Sequence, residues 1–146
     1  MTRSVMRLPL VGSLVGLLIG VALAVLLRPT AAGSGSFERS TTFVCDLVEA
    51  AECDGAAACT DVTPEQIGLP TEILVDLAEL RLVSTTDEQR TSPILGVEKL
   101  ETAILLQGNQ NGRAWAMVID RKTGHLSATL ADVEGAFVVA GACAPK

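Results

Sequence analysis

The chain has no tyrosine, one tryptophan, three phenylalanines and a single histidine among its 146 residues. Without tyrosine there is no phenolic acid, and any Ser-His-Asp, Cys-His or multi-histidine metal centre would have to be built around His125 alone. That histidine follows a turn glycine, Gly124, where an exposed hairpin residue is expected. No C-x-x-C pair is present, and the gaps between successive cysteines, seven, five and eighty-three residues, do not match structural zinc sites. No D-x-[DN]-x-[DN]-G register supplies a calcium loop, and the GSGS at 33–36 lacks the lysine that a phosphate-cradling loop needs. Basic residues are also scarce. From Phe37 onward 17 acids face 8 bases, an excess of nine negative charges. With no Lys/Arg cluster to neutralise phosphates, a nucleic-acid role is excluded, and no cofactor is implied.

What is present begins with an apolar run. Arg3 and Arg7 form a basic flank over residues 1–7, followed by Leu8–Leu27, the length a helix needs to cross the hydrocarbon core. Basic residues at its head stay cytoplasmic, which places the rest of the chain on the periplasmic side of an inner membrane as a single-pass protein. The alternative is a cleaved signal peptide ending near Ala32, which would release a soluble periplasmic or secreted domain. Gly12, Gly16, Gly20 and Ala24 recur every fourth residue along one face, a spacing that permits close approach of a second helix and hence homo-association. Residues 28–40 are rich in small and turn-forming residues and read as a flexible linker.

Residues 41–146 are long enough for one compact domain. Short β-branched and apolar runs alternate there with turn signals, which predicts an all-β fold. Strands are expected at Thr41–Leu47, Ile94–Lys99, Thr102–Gln107, Ala114–Ile119, His125–Leu130 and Ala136–Cys143, while Glu72–Leu77 and Leu80–Thr85 read as a two-stranded hairpin or, since Ile73, Leu74, Leu77, Leu80 and Val83 also satisfy helical spacing, as a helix. The stretch Val48–Leu69 reads as an acidic, Ala-rich connection with at most a short helix, and the last four strands read as a meander. Seven or eight strands suit a small antiparallel barrel or a sandwich. Trp115, Met117 and Ile119 share one strand face and are expected in the core.

The even count of cysteines in an oxidising compartment predicts two disulfides. Of three pairings, the preferred one joins Cys53 to Cys59 across a short loop and Cys45, in the first strand, to Cys143, in the last. If strands one and eight then lie side by side, the sheet closes into a barrel. Oxidised cysteines are no longer nucleophiles. The clearest charge feature is the stretch from Ser40 to Leu80, with nine acids and no base. Its Asp46, Glu49, Glu52, Asp54, Asp61 and Glu65 are the candidate docking face for a basic partner, or else a solvated acidic loop.

The membrane segment, the CDLVEAAEC and GAAAC cysteine pattern, the D-x-x-T-G-x-L turn at Asp120–Leu126 and the terminal GAC resemble small β-domain proteins of Gram-negative envelopes. The implied architecture is similar to that of periplasmic lysozyme inhibitors with disulfide-bearing barrels. No motif matches their inhibitory loops, so no functional residue is carried over. The expected function is that of a non-enzymatic envelope protein whose membrane-tethered domain binds another protein. A barrel binding a small ligand or a divalent metal is the alternative.

Overall fold

The computed structural model describes residues 35–55, 58–86 and 90–146. The apolar run 8–27, the Gly12, Gly16, Gly20 and Ala24 face, the Ala32 site and most of the linker lie outside the described residues. Among the described residues no helix is long and apolar enough to cross a membrane.

A helical turn, α1 (Gly35–Arg39), precedes nine strands: β1 (Thr42–Asp54), β2 (Ala58–Val62), β3 (Glu72–Asp76), β4 (Arg81–Ser84), β5 (Thr91–Lys99), β6 (Ala103–Gln110), β7 (Arg113–Asp120), β8 (His125–Ala131) and β9 (Ala136–Pro145). All pairings are antiparallel. From β3 to β9 each strand neighbours the next, and β9 returns to β1, so eight strands close into an up-and-down barrel with β2 outside it. Closure leaves these strands no free edge along which chains could aggregate. The alternation expected of a barrel wall is plain in β7, where Trp115, Met117 and Ile119 are buried while Ala114, Ala116 and Val118 face solvent.

The seam between β1 and β9 depends on one small residue. The register shifts at Val48, between the Leu47–Gly141 and Glu49–Ala140 pairs. At this bulge the strands come so close that a Cβ on Gly141 would collide with the carbonyl oxygen of Asp46. The bulge also lets β1 serve two partners along one edge. Its first half pairs with β3 and its second half, from Ala50, with β2. The segment 48–62, expected as a loop or short helix, is therefore mostly strand, a β1–β2 hairpin tied at its tip by Cys53–Cys59. Its Ala and acidic residues depress β-propensity, and pairing with β9 overrides that weak preference.

The two ends of the barrel differ. At one end Phe37 of α1 is buried and stacks on Phe43, with ring centroids 5.4 Å apart. A Cβ on Gly124 would come within 3.3 Å of the Phe37 ring, which places this plug beside the β7–β8 turn and Cys143. The folded part thus begins inside the stretch read as linker, because one aromatic residue there has a core to enter. The other end is covered by the β2–β3 loop, residues 63–71. Thr63 and Gln66 cap each other across a single 3₁₀ turn, with Thr63 N–H donating to Gln66 Oε1 at 2.7 Å and Gln66 N–H to Thr63 Oγ1 at 3.4 Å. Gly68, at φ 73°, ends the turn.

Tight turns set the register of the meander. Asn111 and Gly112 take φ values of 53° and 82° between Gln110 and Arg113, the two-residue hairpin their positive-φ tolerance favours. The β7–β8 and β8–β9 turns are each held by one aspartate. Asp120 Oδ1 accepts the Thr123 and Lys122 amides at 2.7 and 2.9 Å and the Thr123 hydroxyl at 2.9 Å. Asp132 Oδ1 accepts the Glu134 and Gly135 amides at 2.9 and 3.1 Å. These bonds favour the ionised carboxyls, holding Asp120 below the usual range chiefly through Thr123 N–H and Asp132 chiefly through Glu134 N–H. A carboxyl depressed on folding adds stability above its unfolded pKa and loses it as pH falls through the folded value. Urea midpoints of the wild type should therefore exceed those of Asp120→Ala/Asp132→Ala at pH 7, and the gap should narrow as pH falls below the ordinary carboxylate range. A gap independent of pH would assign the effect to something other than these carboxylates.

Candidate functional site

The structure divides the six candidate acids between two faces. Asp46, Glu49 and Asp61 share the outer face of the β3–β1–β2 surface, since Asp61 lies opposite Ala51 on the Glu49 side of the bulge. Glu52 and Asp54 alternate to the other side, in register with Thr60 and Ala58. Glu65 belongs to neither strand and projects from the 3₁₀ turn of the mouth loop.

A groove gathers part of this set. It holds about 500 Å³ between the mouth loop and the β1–β3 wall and is lined by Asp46, Leu47, Val48, Thr63, Pro64, Glu65, Thr71 and Glu72. Glu72 was not among the six candidates. It enters because the β1–β3 register sets it directly opposite Asp46, a pairing that no local pattern reveals. Like charges directly opposed on a sheet disfavour folding, so the Asp46–Glu72 pair weakens the barrel unless a cation meets it. Glu72 is steadied by the Thr85 hydroxyl, which donates to its Oε1. Among the described residues no ion pair involves Asp46, Glu65 or Glu72.

The nearby arginines are directed elsewhere. Arg90 donates from Nη1 to Gly68 O at 3.0 Å, and Arg113 donates to Ile67 O at 3.4 Å, so both pin the mouth loop through its backbone. Arg113 is further held by Asp132 Oδ2 at 3.2 Å and lies 4.7 Å over the Phe137 ring. These two residues, silent in the sequence, fix the loop that carries Glu65.

The groove is not arranged for a metal. Among the described residues no three His, Cys, Asp or Glu side chains gather closely enough to hold an ion. Its composition suits a cationic side chain, with Val48 and Pro64 offering apolar contact to an aliphatic stem, the opposed Asp46 and Glu72 available to the head group, and Glu65 adding negative charge at the rim. Val48 is two-thirds exposed at 67%, which leaves that contact open.

The other expected residues fall as follows. Cys45–Cys143 and Cys53–Cys59 are both disulfides, each between directly paired strand residues, and no free cysteine remains among the described residues. His125 is exposed at the start of β8. No family model matches the chain, and no curated protein or solved structure is similar to it.

Proposed function

We propose that this is a non-enzymatic envelope domain, tethered through residues 8–27, that docks a basic protein partner on the acidic groove between β1, β3 and the mouth loop. The observation that carries the reading is the set of three unneutralised carboxylates, Asp46, Glu65 and Glu72, around one groove with apolar rims. The domain's acidic excess would steer a basic partner toward it, and opposed like charges become favourable once a cation lies between them. Two disulfides support an oxidising compartment, as the periplasmic placement requires.

Hexalysine serves as a defined probe. Exposed ion pairs contribute roughly 0.2–1 kcal/mol each, so Asp46→Asn/Glu65→Gln/Glu72→Gln should weaken binding about tenfold at low salt. The control Glu98→Gln/Glu101→Gln/Glu134→Gln removes the same charge elsewhere on the surface. Amide shifts should cluster at residues 46–49, 63–66 and 71–72 and fade between 20 and 300 mM salt. Equal weakening by both triple variants would reduce the groove to generic acidity and sink the reading.

A further inference from the structure

We propose that the mouth of the barrel is a second, separate site that takes a small uncharged hydrocarbon group, the size of a benzene ring or a five- to six-carbon chain end. The inference does not depend on the acidic groove, which lies on the outer side of the same loop.

Beneath Gly68, Leu69 and Pro70 the barrel is not filled. A cavity of about 110 Å³ remains, walled by Leu47, Ile73, Leu82, Trp115, Met117, Ala128, Leu130 and Val139. It stays open because two inward positions are small. Gly108, paired with Trp115, lets the indole pack against its backbone, where an added Cβ would strike both the ring and the Pro93 carbonyl. Ala128 stands between Leu126 and Leu130 on the inner face of β8, where a larger residue would reach into the space.

The chemistry of the walls selects the ligand. The polar side chains lining the cavity are Ser84, Ser92, Arg90 and Gln110, and each is engaged, Arg90 donating to Gly68 O and Gln110 Nε2 to Thr91 O. Trp115 Nε1–H donates to Ser92 Oγ at 2.9 Å, and Ser84 Oγ is paired with Thr86 Oγ1 at 3.0 Å. Among the described residues no buried side-chain polar atom lacks a partner, so the walls hold no orphaned group that a polar ligand would be needed to satisfy. An apolar guest loses nothing and removes its surface from water. Volume sets the upper bound. Sites for drug-sized ligands and large cofactors run from about 300 Å³, whereas an engineered apolar cavity of about 150 Å³ admits benzene or xenon. At about 110 Å³ the mouth is in the second class.

The test titrates the full chain, ¹³C-labelled at methionine and alanine methyls, with benzene and separately with 1-hexanol. Cross-relaxation peaks are expected from the ligand protons to the Met117 and Ala128 methyls. The sole tryptophan, Trp115, should change its fluorescence, with a dissociation constant on the order of 1 mM for five or six buried carbons. Contacts from benzene alone would identify a free neutral molecule as the natural occupant. Contacts from hexanol, with or without benzene, would identify a chain end entering past the loop. Ala128→Leu should weaken either ligand at least tenfold while leaving hexalysine binding unchanged. The proposal is overturned if neither ligand contacts Met117 or Ala128 in the wild type, a readout that stands even if the variant does not fold. It also fails if a folded Ala128→Leu variant binds as tightly as the wild type.

Discussion

Replacing both Cys45 and Cys143 by alanine should lower the unfolding free energy by about 4–5 kcal/mol, whereas Cys53→Ala/Cys59→Ala should cost only about 2. Sequence separation sets the difference. The first bridge joins residues 98 apart and the second residues six apart, and the chain entropy removed from the unfolded state grows with the logarithm of the loop. The long bridge also crosses the seam where β1 and β9 close the barrel, inside a core where Cys45 is fully buried. A domain of this size has about 5–15 kcal/mol in total, so losing the long bridge should remove from about a third to nearly all of its stability, while the protein lacking only the hairpin bridge should keep most of it. Urea unfolding of both double variants checks this. Equal losses would mean that the Cys45–Cys143 loop is already constrained in the unfolded chain.

Why that bridge could be anticipated, and much else could not, follows from the range of each signal. The strands from Ile94 to Ala136 announce themselves through local alternation and strong turns, whereas Glu72 to Thr85 fits helical spacing as well as a hairpin and is fixed as strand by its pairing with β1 and β5. Asn111-Gly112, Asp120 to Gly124 and Asp132 to Gly135 each encode a reversal in a few consecutive residues. With cysteines in the first and last strands, a bridge brings those strands together either side by side or face to face, and only the β1–β9 register decides for the closed barrel. The β1–β2 hairpin gave no such cue. Its residues favour helix or coil, and it is strand because β9 offers a paired edge more than eighty residues away in sequence. Phe37 was hidden in the same way. Its neighbours are those of a linker, and only a barrel end shaped to receive a ring makes it part of the core.

The candidate site was legible as composition and not as geometry. Nine acids without a base marked the region, but the alternation of β1 beyond its bulge sends Glu52 and Asp54 away from Asp46 and Glu49. The β1–β3 register brings in Glu72 instead. The mouth cavity had no sequence signal at all. It arises from the relation of Gly108, Trp115 and Ala128 on three neighbouring strands, each of which reads as ordinary core or turn-flanking sequence.

Phe43→Ala should destabilise the domain by about 3–5 kcal/mol, the largest effect expected of any single substitution at the plugged end. Its side chain is fully buried on β1 beside Cys45 and supports the stack with Phe37, whose rings lie within 12° of parallel. Phe37→Ala removes the same stack from the other side and leaves a barrel whose strands all remain paired. It should therefore cost less and speed hydrogen exchange mainly at Leu77, Cys143 and the other amides of the plugged end, while Trp115 and Met117 keep their protection. The double variant resolves the pair. Stacked rings contribute roughly 0.5–1.5 kcal/mol beyond their buried area, so Phe37→Ala/Phe43→Ala should cost less than the two single losses together by about that amount. Strict additivity would mean that α1 rests on the barrel without sharing its stability, and that the folded domain begins only at β1. Coupling would instead make Phe37 part of the fold and place the start of the folded domain at α1.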